Sequence, residues 1–222
     1  IVQIAMRGEM PDKGMKYMVP KEALYEGDRS LIVECPQRTD RFFVYHQGEI
    51  AGVYTQPADA IRQAYELAGV VVDDKGSYIW IRGNLATRNQ IMKITGTQED
   101  ETTTGMAVCL ETILNYEGYS VDAQALLDKG YNAMEILEEY LPEQRVLDLT
   151  GCSLESVLYY LNRDIPVLAV ADDQSALLLV GFNDLNTVWM NPKTGKVYKV
   201  GMNDSRKFFE ENGNRFITYI EK

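Results

Sequence analysis

Around Pro166 the chain changes period. Before it, apolar residues recur every three or four positions; after it they alternate or run in short blocks, and this switch from helical to strand periodicity constrains the fold most. In the helical part Met106, Cys109, Leu110, Ile113 and Leu114 fall on one face of a helix that stops at Gly118. Ser120 is expected to cap a helix ending at Gly130. Asn132 with Glu135 forms a capping box for one ending before Pro142, and Ser153 caps "LESVLYYLNRD". The strand part reads "PVLAVAD", "SALLLVGFN", "TVWMN" and "KVYKVG", joined by turns at Asn183 to Asn186 and Lys193 to Gly195. A last helix around "SRKFFEENG" and a strand "RFITYIE" follow. Helices packed on an antiparallel sheet are the expected result, an α+β fold.

The first 95 residues read as a separate, smaller α+β module. "RFFVYHQGEIAGVY" predicts a hairpin turning at Gln47-Gly48. "PADAIRQAYELAG" is a helix with Pro57 in its first turn and Gly69 as its stop, and a second hairpin surrounds Asp74-Lys75-Gly76. Phe43, Tyr45, Tyr78 and Trp80 alternate as strand residues do and are expected to face a core. "KYMV" and "SLIVEC", between Pro11 and Gly27 and beyond, read as further short strands.

Charge supports a boundary at 95/96. Of the 222 residues, 1–95 carry twelve basic and twelve acidic side chains, so residues 96–222 hold the whole net charge of −11. A surface this acidic does not neutralise phosphates, which argues against nucleic acid as a partner. Nothing in the sequence approaches a membrane-spanning run of about 18 apolar residues. The sequence opens at Ile1 with no initiating Met, which leaves room for an export signal or anchor ahead of it and keeps the compartment open, an extracytoplasmic or cell-surface location included.

Candidate chemistry is sparse. Cys35, Cys109 and Cys152 are far apart, with no metal-ligand spacing, and His46 is the single histidine. No Walker loop, GxGxxG, HExxH or calcium-loop pattern is present, so neither a metal nor a cofactor is expected. Asp172-Asp173 reads as a pair of solvated turn carboxylates.

With "ETILNYEGYSV", "SLESVLYYLNRDIPVLAV" and "ALLLVGFNDLNTVWMNPKTGKVY" in this order, residues 98–221 resemble the C39 and C39-like cysteine peptidases, which have the papain-like fold and include the leader-cutting domains of bacteriocin exporters. In that family a cysteine at a helix N-terminus is the nucleophile, a histidine takes its proton, and an Asp or Asn orients the imidazole. Counting back without gaps from Asn115-Tyr116-Glu117-Gly118 puts Gly105 at the cysteine position, with Thr104 and Met106 as one-residue alternatives. Counting back from Gly181 puts Ser175 at the histidine position, and Asn191 falls at the third. Gln98 resembles the family's oxyanion-hole glutamine, one residue further from Gly105 than expected.

The resemblance therefore implies a catalytically degenerate peptidase fold. Gln98, Thr104, Gly105, Ser175 and Asn191 would line the former substrate cleft, with the free amides of the helix N-terminus available to a ligand. A peptide or protein segment is the expected partner, a basic one favoured by the acidic surface. The rivals are an active hydrolase or transferase using other residues, and a structural module of a larger cell-surface protein.

Overall fold

A computed structural model describes residues 40–83, 90–91, 94, 100 and 102–221. The strands read in "KYMV" and "SLIVEC", and Gln98, lie outside the described residues.

The chain from Phe42 onward forms one compact unit containing two antiparallel sheets. The first is built by β1 (Phe42–His46), β2 (Glu49–Tyr54), β3 (Val70–Asp73) and β4 (Tyr78–Ile81), in the order β2-β1-β3-β4. The turn between β1 and β2 is at Gln47-Gly48, both with left-handed backbone (φ 51° and 86°), the geometry a two-residue hairpin needs. Helix α1 (Pro57–Leu67) crosses one face of this sheet and buries Ala58, Ala60, Ile61 and Ala64. It ends at Ala68 in the left-handed region (φ 53°), one residue before the expected stop. Gly69 has a different task. A Cβ there would lie 2.6 Å from the backbone oxygen of Tyr45, so the glycine lets the chain re-enter the sheet beside β1.

The second sheet runs β10-β9-β8-β7-β11-β6, with β5 (Gln90–Ile91) pairing on β8. Its strands are β6 (Gln144–Asp148), β7 (Val167–Val170), β8 (Ala176–Phe182), β9 (Asn186–Asn191), β10 (Lys196–Gly201) and β11 (Phe216–Glu221). The meander β7 to β10 is the one expected. β6 was not anticipated: "QRVLD" is mostly polar, and it becomes a strand because β11 pairs with it from Ile217↔Asp148 to Glu221↔Gln144.

Helices α2 (Gly105–Tyr116), α3 (Ala123–Asp128), α4 (Ala133–Tyr140), α5 (Leu154–Leu161) and α6 (Met202–Glu211) complete the unit. Asn132 and Glu135 make both capping-box hydrogen bonds, at 3.0 and 2.9 Å, and the Ser153 hydroxyl accepts from the Ser156 amide. The cap of α3 is Asp122, whose carboxylate accepts from the Ala125 amide, in place of the expected Ser120.

Of the strand aromatics expected to face a core, Trp80 is turned inward and Tyr78 outward by the irregularity between Val71 and Val72 in the pairing with β4. The first sheet lies before the expected boundary at 95/96, but β5 (Gln90–Ile91), also before it, pairs in the second sheet, and from Phe42 onward the two sheets share one core. Trp80 donates its indole N–H to the Ser156 carbonyl at 3.0 Å, and the Tyr160 hydroxyl donates to the Ile79 carbonyl at 3.2 Å. Arg145 of β6 and Asp73 of β3 form a buried ion pair at 3.1 Å. A boundary drawn from charge and turn residues thus does not mark two cores, because the apolar faces that join the sheets carry no charge to reveal the join.

Candidate functional site

The site positions derive from the first turn of α2. Upstream of it, Asp100 accepts hydrogen bonds at 2.7 to 3.1 Å from the amides and hydroxyls of Thr102 and Thr103. These bonds, the Thr102 hydroxyl's first, hold the Asp100 carboxyl below its ordinary value of 3.8. Thr104 is the N-cap: its hydroxyl accepts from the Ala107 amide at 3.2 Å, and its own amide donates to the Gln124 side chain at 2.8 Å.

Gly105 opens the helix and is buried. The amide of Met106 donates to the backbone carbonyl of Gln174 at 2.9 Å. Two of the amides expected to await a ligand, those of Met106 and Ala107, are therefore satisfied within the chain.

Ser175 is exposed at the start of β8, in a turn closed by Asp172, whose carboxylate accepts from the amides of Gln174 at 2.9 Å and Ser175 at 2.7 Å. These bonds, the Gln174 amide's first, hold Asp172 below 3.8. The solvated-turn reading of Asp172-Asp173 agrees with this placement. Asn191 ends β9; its side-chain oxygen accepts from the Lys193 amide at 2.9 Å and shapes the following turn. Since Leu178 pairs with Met190, Asn191 comes opposite Leu177, at the same end of the sheet as Ser175. The fold thus brings Gly105, Ser175 and Asn191 to one end of the second sheet.

Beside them opens a cleft of about 560 Å³, between the first turn of α2, helices α3 and α4, and the ends of β7 and β11. Of the candidate residues described, Thr104 lines it; Gly105, Ser175 and Asn191 do not. Met106, Leu127, Met134, Val170 and Ile217 give it apolar walls, and Asp128, Asp148, Asp173 and Arg215 give it an acidic excess. Of these the sequence reading named Met106, as a one-residue alternative to Gly105, and Asp173, as a solvated turn residue; it missed the others because they come from separated segments. The one local signal was Asp172 three residues before Ser175, a spacing suited to a side-chain-closed turn.

No thiol or imidazole lines this cleft. Cys109 is fully buried on the inner face of α2, as its helical spacing predicts. Cys152 is buried against the Ala58 carbonyl, 3.7 Å from its sulfur, and burial pushes its thiol up to about 12. His46 ends β1, opposite Glu49 in the first sheet. Among the described residues no group of His, Cys, Asp and Glu is placed to hold a metal ion, and no helix is long and apolar enough to cross a membrane.

No family model matches the chain, and no curated protein matches it in sequence. Among solved structures, a crystal structure described as a C39-like peptidase from Bacillus anthracis matches with a TM-score of 0.51, covering 61% of this chain and 99% of that one. Over the part that it covers, the chain shares the fold of that structure. At 14% identity the likeness concerns the papain-like architecture, helices packed on an antiparallel sheet, and leaves the chemistry to the residues themselves.

Proposed function

We propose that this chain is a pseudopeptidase that binds a peptide segment in the cleft beside the first turn of α2. The observation that supports this reading most is the cleft itself: about 560 Å³ of space beside the first turn of α2, where the resemblance aligns Gly105 with the family's nucleophile, with no thiol or imidazole among its lining residues. Gly105 cannot supply a thiolate, and Ser175 cannot act as a base near neutral pH. What remains suits recognition without bond cleavage. Apolar walls from Met106, Met134 and Ile217 can take a side chain, while Asp128, Asp148 and Asp173 outnumber Arg215 and favour a basic peptide.

The test is a peptide-library binding screen on the wild type, on Met134→Trp and on Asp173→Lys, with product analysis by mass spectrometry. Basic peptides should bind wild type, more tightly at low salt, and leave uncut. Met134→Trp should abolish binding by filling the cleft, and Asp173→Lys should weaken it several-fold. Cleavage of a bound peptide would replace this reading with an active hydrolase. Failure of every peptide to bind, or binding indifferent to both substitutions, would favour a purely structural module.

A further inference from the structure

Helix α6 ends in a motif that dictates part of its sequence. The Asn214 amide donates to the Phe209 carbonyl at 2.8 Å and the Gly213 amide to the Glu210 carbonyl at 3.1 Å, the paired bonds of a Schellman turn. Such a turn needs a left-handed residue at Gly213, where φ is 78°. Asn212, just before it, is exposed and caps the helix, its side-chain amide donating to the Phe208 carbonyl at 2.7 Å. Asparagine thus stands directly before glycine, the one such pair in the 222 residues. It is the most reactive setting an asparagine can have, because glycine has no Cβ to keep its nitrogen from the neighbouring side-chain carbonyl.

We propose that Asn212 is a deamidation site that the folded end of α6 holds shut, and that its conversion loosens the start of β11. The Gly213 nitrogen, its proton lost to hydroxide, attacks Cγ of Asn212. The new N–Cγ bond closes a succinimide as the Cγ–Nδ2 bond breaks, and Nδ2 takes a proton from water and leaves as ammonia. Water then opens the ring. Breaking the bond from the Gly213 nitrogen to Cγ leaves aspartate; breaking its bond to the main-chain carbonyl carbon leaves isoaspartate, with the backbone rerouted through Cβ and Cγ. One water is consumed, one ammonia is released, and nothing is oxidised or reduced.

The native turn opposes the first step in three ways. The attacking N–H is engaged with the Glu210 carbonyl, Nδ2 is held at Phe208, and ψ of 16° at Asn212 turns the Gly213 nitrogen away from the side chain. Attack therefore waits on opening of the last turn, a local event that does not require global unfolding. Conversion then hinders closure. It removes the donor from the Phe208 carbonyl and puts a carboxylate beside Glu210 and Glu211 at the negative end of the helix. Isoaspartate also lengthens the main chain between α6 and β11. The next carbonyls, those of Asn214 and Arg215, accept from the Gly151 amide at 2.8 Å and the Val170 amide at 2.9 Å, and so tie the entry of β11 to its neighbours. Arg215 and Ile217 line the cleft, so the change reaches it, but the proposal stands whether or not the cleft binds peptide.

The experiment ages the full chain in mildly alkaline buffer, native and in urea, and follows every asparagine by peptide mapping with isoaspartate detection. In urea Asn212 should convert faster than any other asparagine. In native buffer it should slow by the factor that separates native from unfolded hydrogen exchange at the Gly213 amide, because both reactions need the same opening. The isoaspartate form, separated by chromatography, should exchange its Gly151 and Val170 amides faster than fresh protein. Asn212→Asp, which carries the charge on an unaltered backbone, should do so less. Equal conversion rates in native buffer and urea, a faster asparagine elsewhere, Gly151 and Val170 amides indifferent to conversion, or an Asn212→Asp variant that matches the isoaspartate form overturns the proposal.

Discussion

The amide of Met106 donates to the carbonyl of Gln174 at 2.9 Å, joining the first turn of α2 to the turn before β8. The cleft wall on that side rests on this turn, which is closed by the Asp172 carboxylate together with backbone bonds from the Ala171 and Asp172 amides to the Ser175 carbonyl at 2.9 and 3.1 Å. Both Asp172 and Asp100 are held below 3.8 by the hydrogen bonds they accept. A carboxyl depressed in the folded state adds stability above its unfolded pKa, and that contribution is lost as pH falls through the folded value. Asp172→Ala should therefore loosen the turn at neutral pH. In wild type the same loosening should begin only below the ordinary carboxylate range, with the Ser175 amide shift and the Asp172 carboxyl carbon shift titrating together. A midpoint at or above 3.8 would contradict the assigned hydrogen bonds.

The buried pair Asp73 and Arg145 bridges the two sheets. Asp73→Asn keeps a side-chain oxygen for the Lys75 and Ser77 amides but leaves Arg145 without a counter-charge, and should cost about 3 kcal/mol in urea unfolding. Limited proteolysis between 94 and 103 should leave both fragments associated on gel filtration, because Trp80 and Tyr160 still hold the seam. Fragments that separate without denaturant would mean that the segments fold independently.

Gly69→Ala should destabilise the protein by about 1–3 kcal/mol, since the new methyl meets backbone and not a movable side chain. The companion change Gly48→Ala meets no neighbour, and only its left-handed backbone opposes it, so it should cost less. Thermal melts of the two variants rank the effects. The reverse order would show that β1 and the α1 exit are less tightly apposed than described.

Cys109 and Cys152 should resist an aromatic disulfide reagent at pH 8 in the native state, because both are fully buried and the Cys152 thiol is pushed up to about 12. Peptide mapping after labelling should find them modified only in denaturant. Rapid native labelling of Cys109 would revive a catalytic role for the thiol.

Much of the fold is written in local spacing. The capping box at Asn132, the cap at Ser153 and the left-handed turn at Gln47-Gly48 need only neighbours in sequence, and all three are found in the structure. β6 and the cleft were not legible in the same way. Gln144–Asp148 gains its strand character from β11, and Met106 meets Met134 and Ile217 only after the sheet has formed. The positions counted from the family resemblance, Gly105, Ser175 and Asn191, fall at one end of the second sheet. Which of them border open space depends on side-chain packing, which counting does not capture.

The placement of β11 between β7 and β6 has a consequence for how the protein is made. β6 emerges long before residues 216–221 exist, and its hydrogen-bonding partner in the sheet is that late strand. A ribosome or a translocation pore releasing the chain from its N-terminal side would hold β6 unpaired until then. The meander β7 to β10 can pair strand by strand as it emerges, whereas β6 joins the sheet, and the Ile217 wall of the cleft forms, only in that last step.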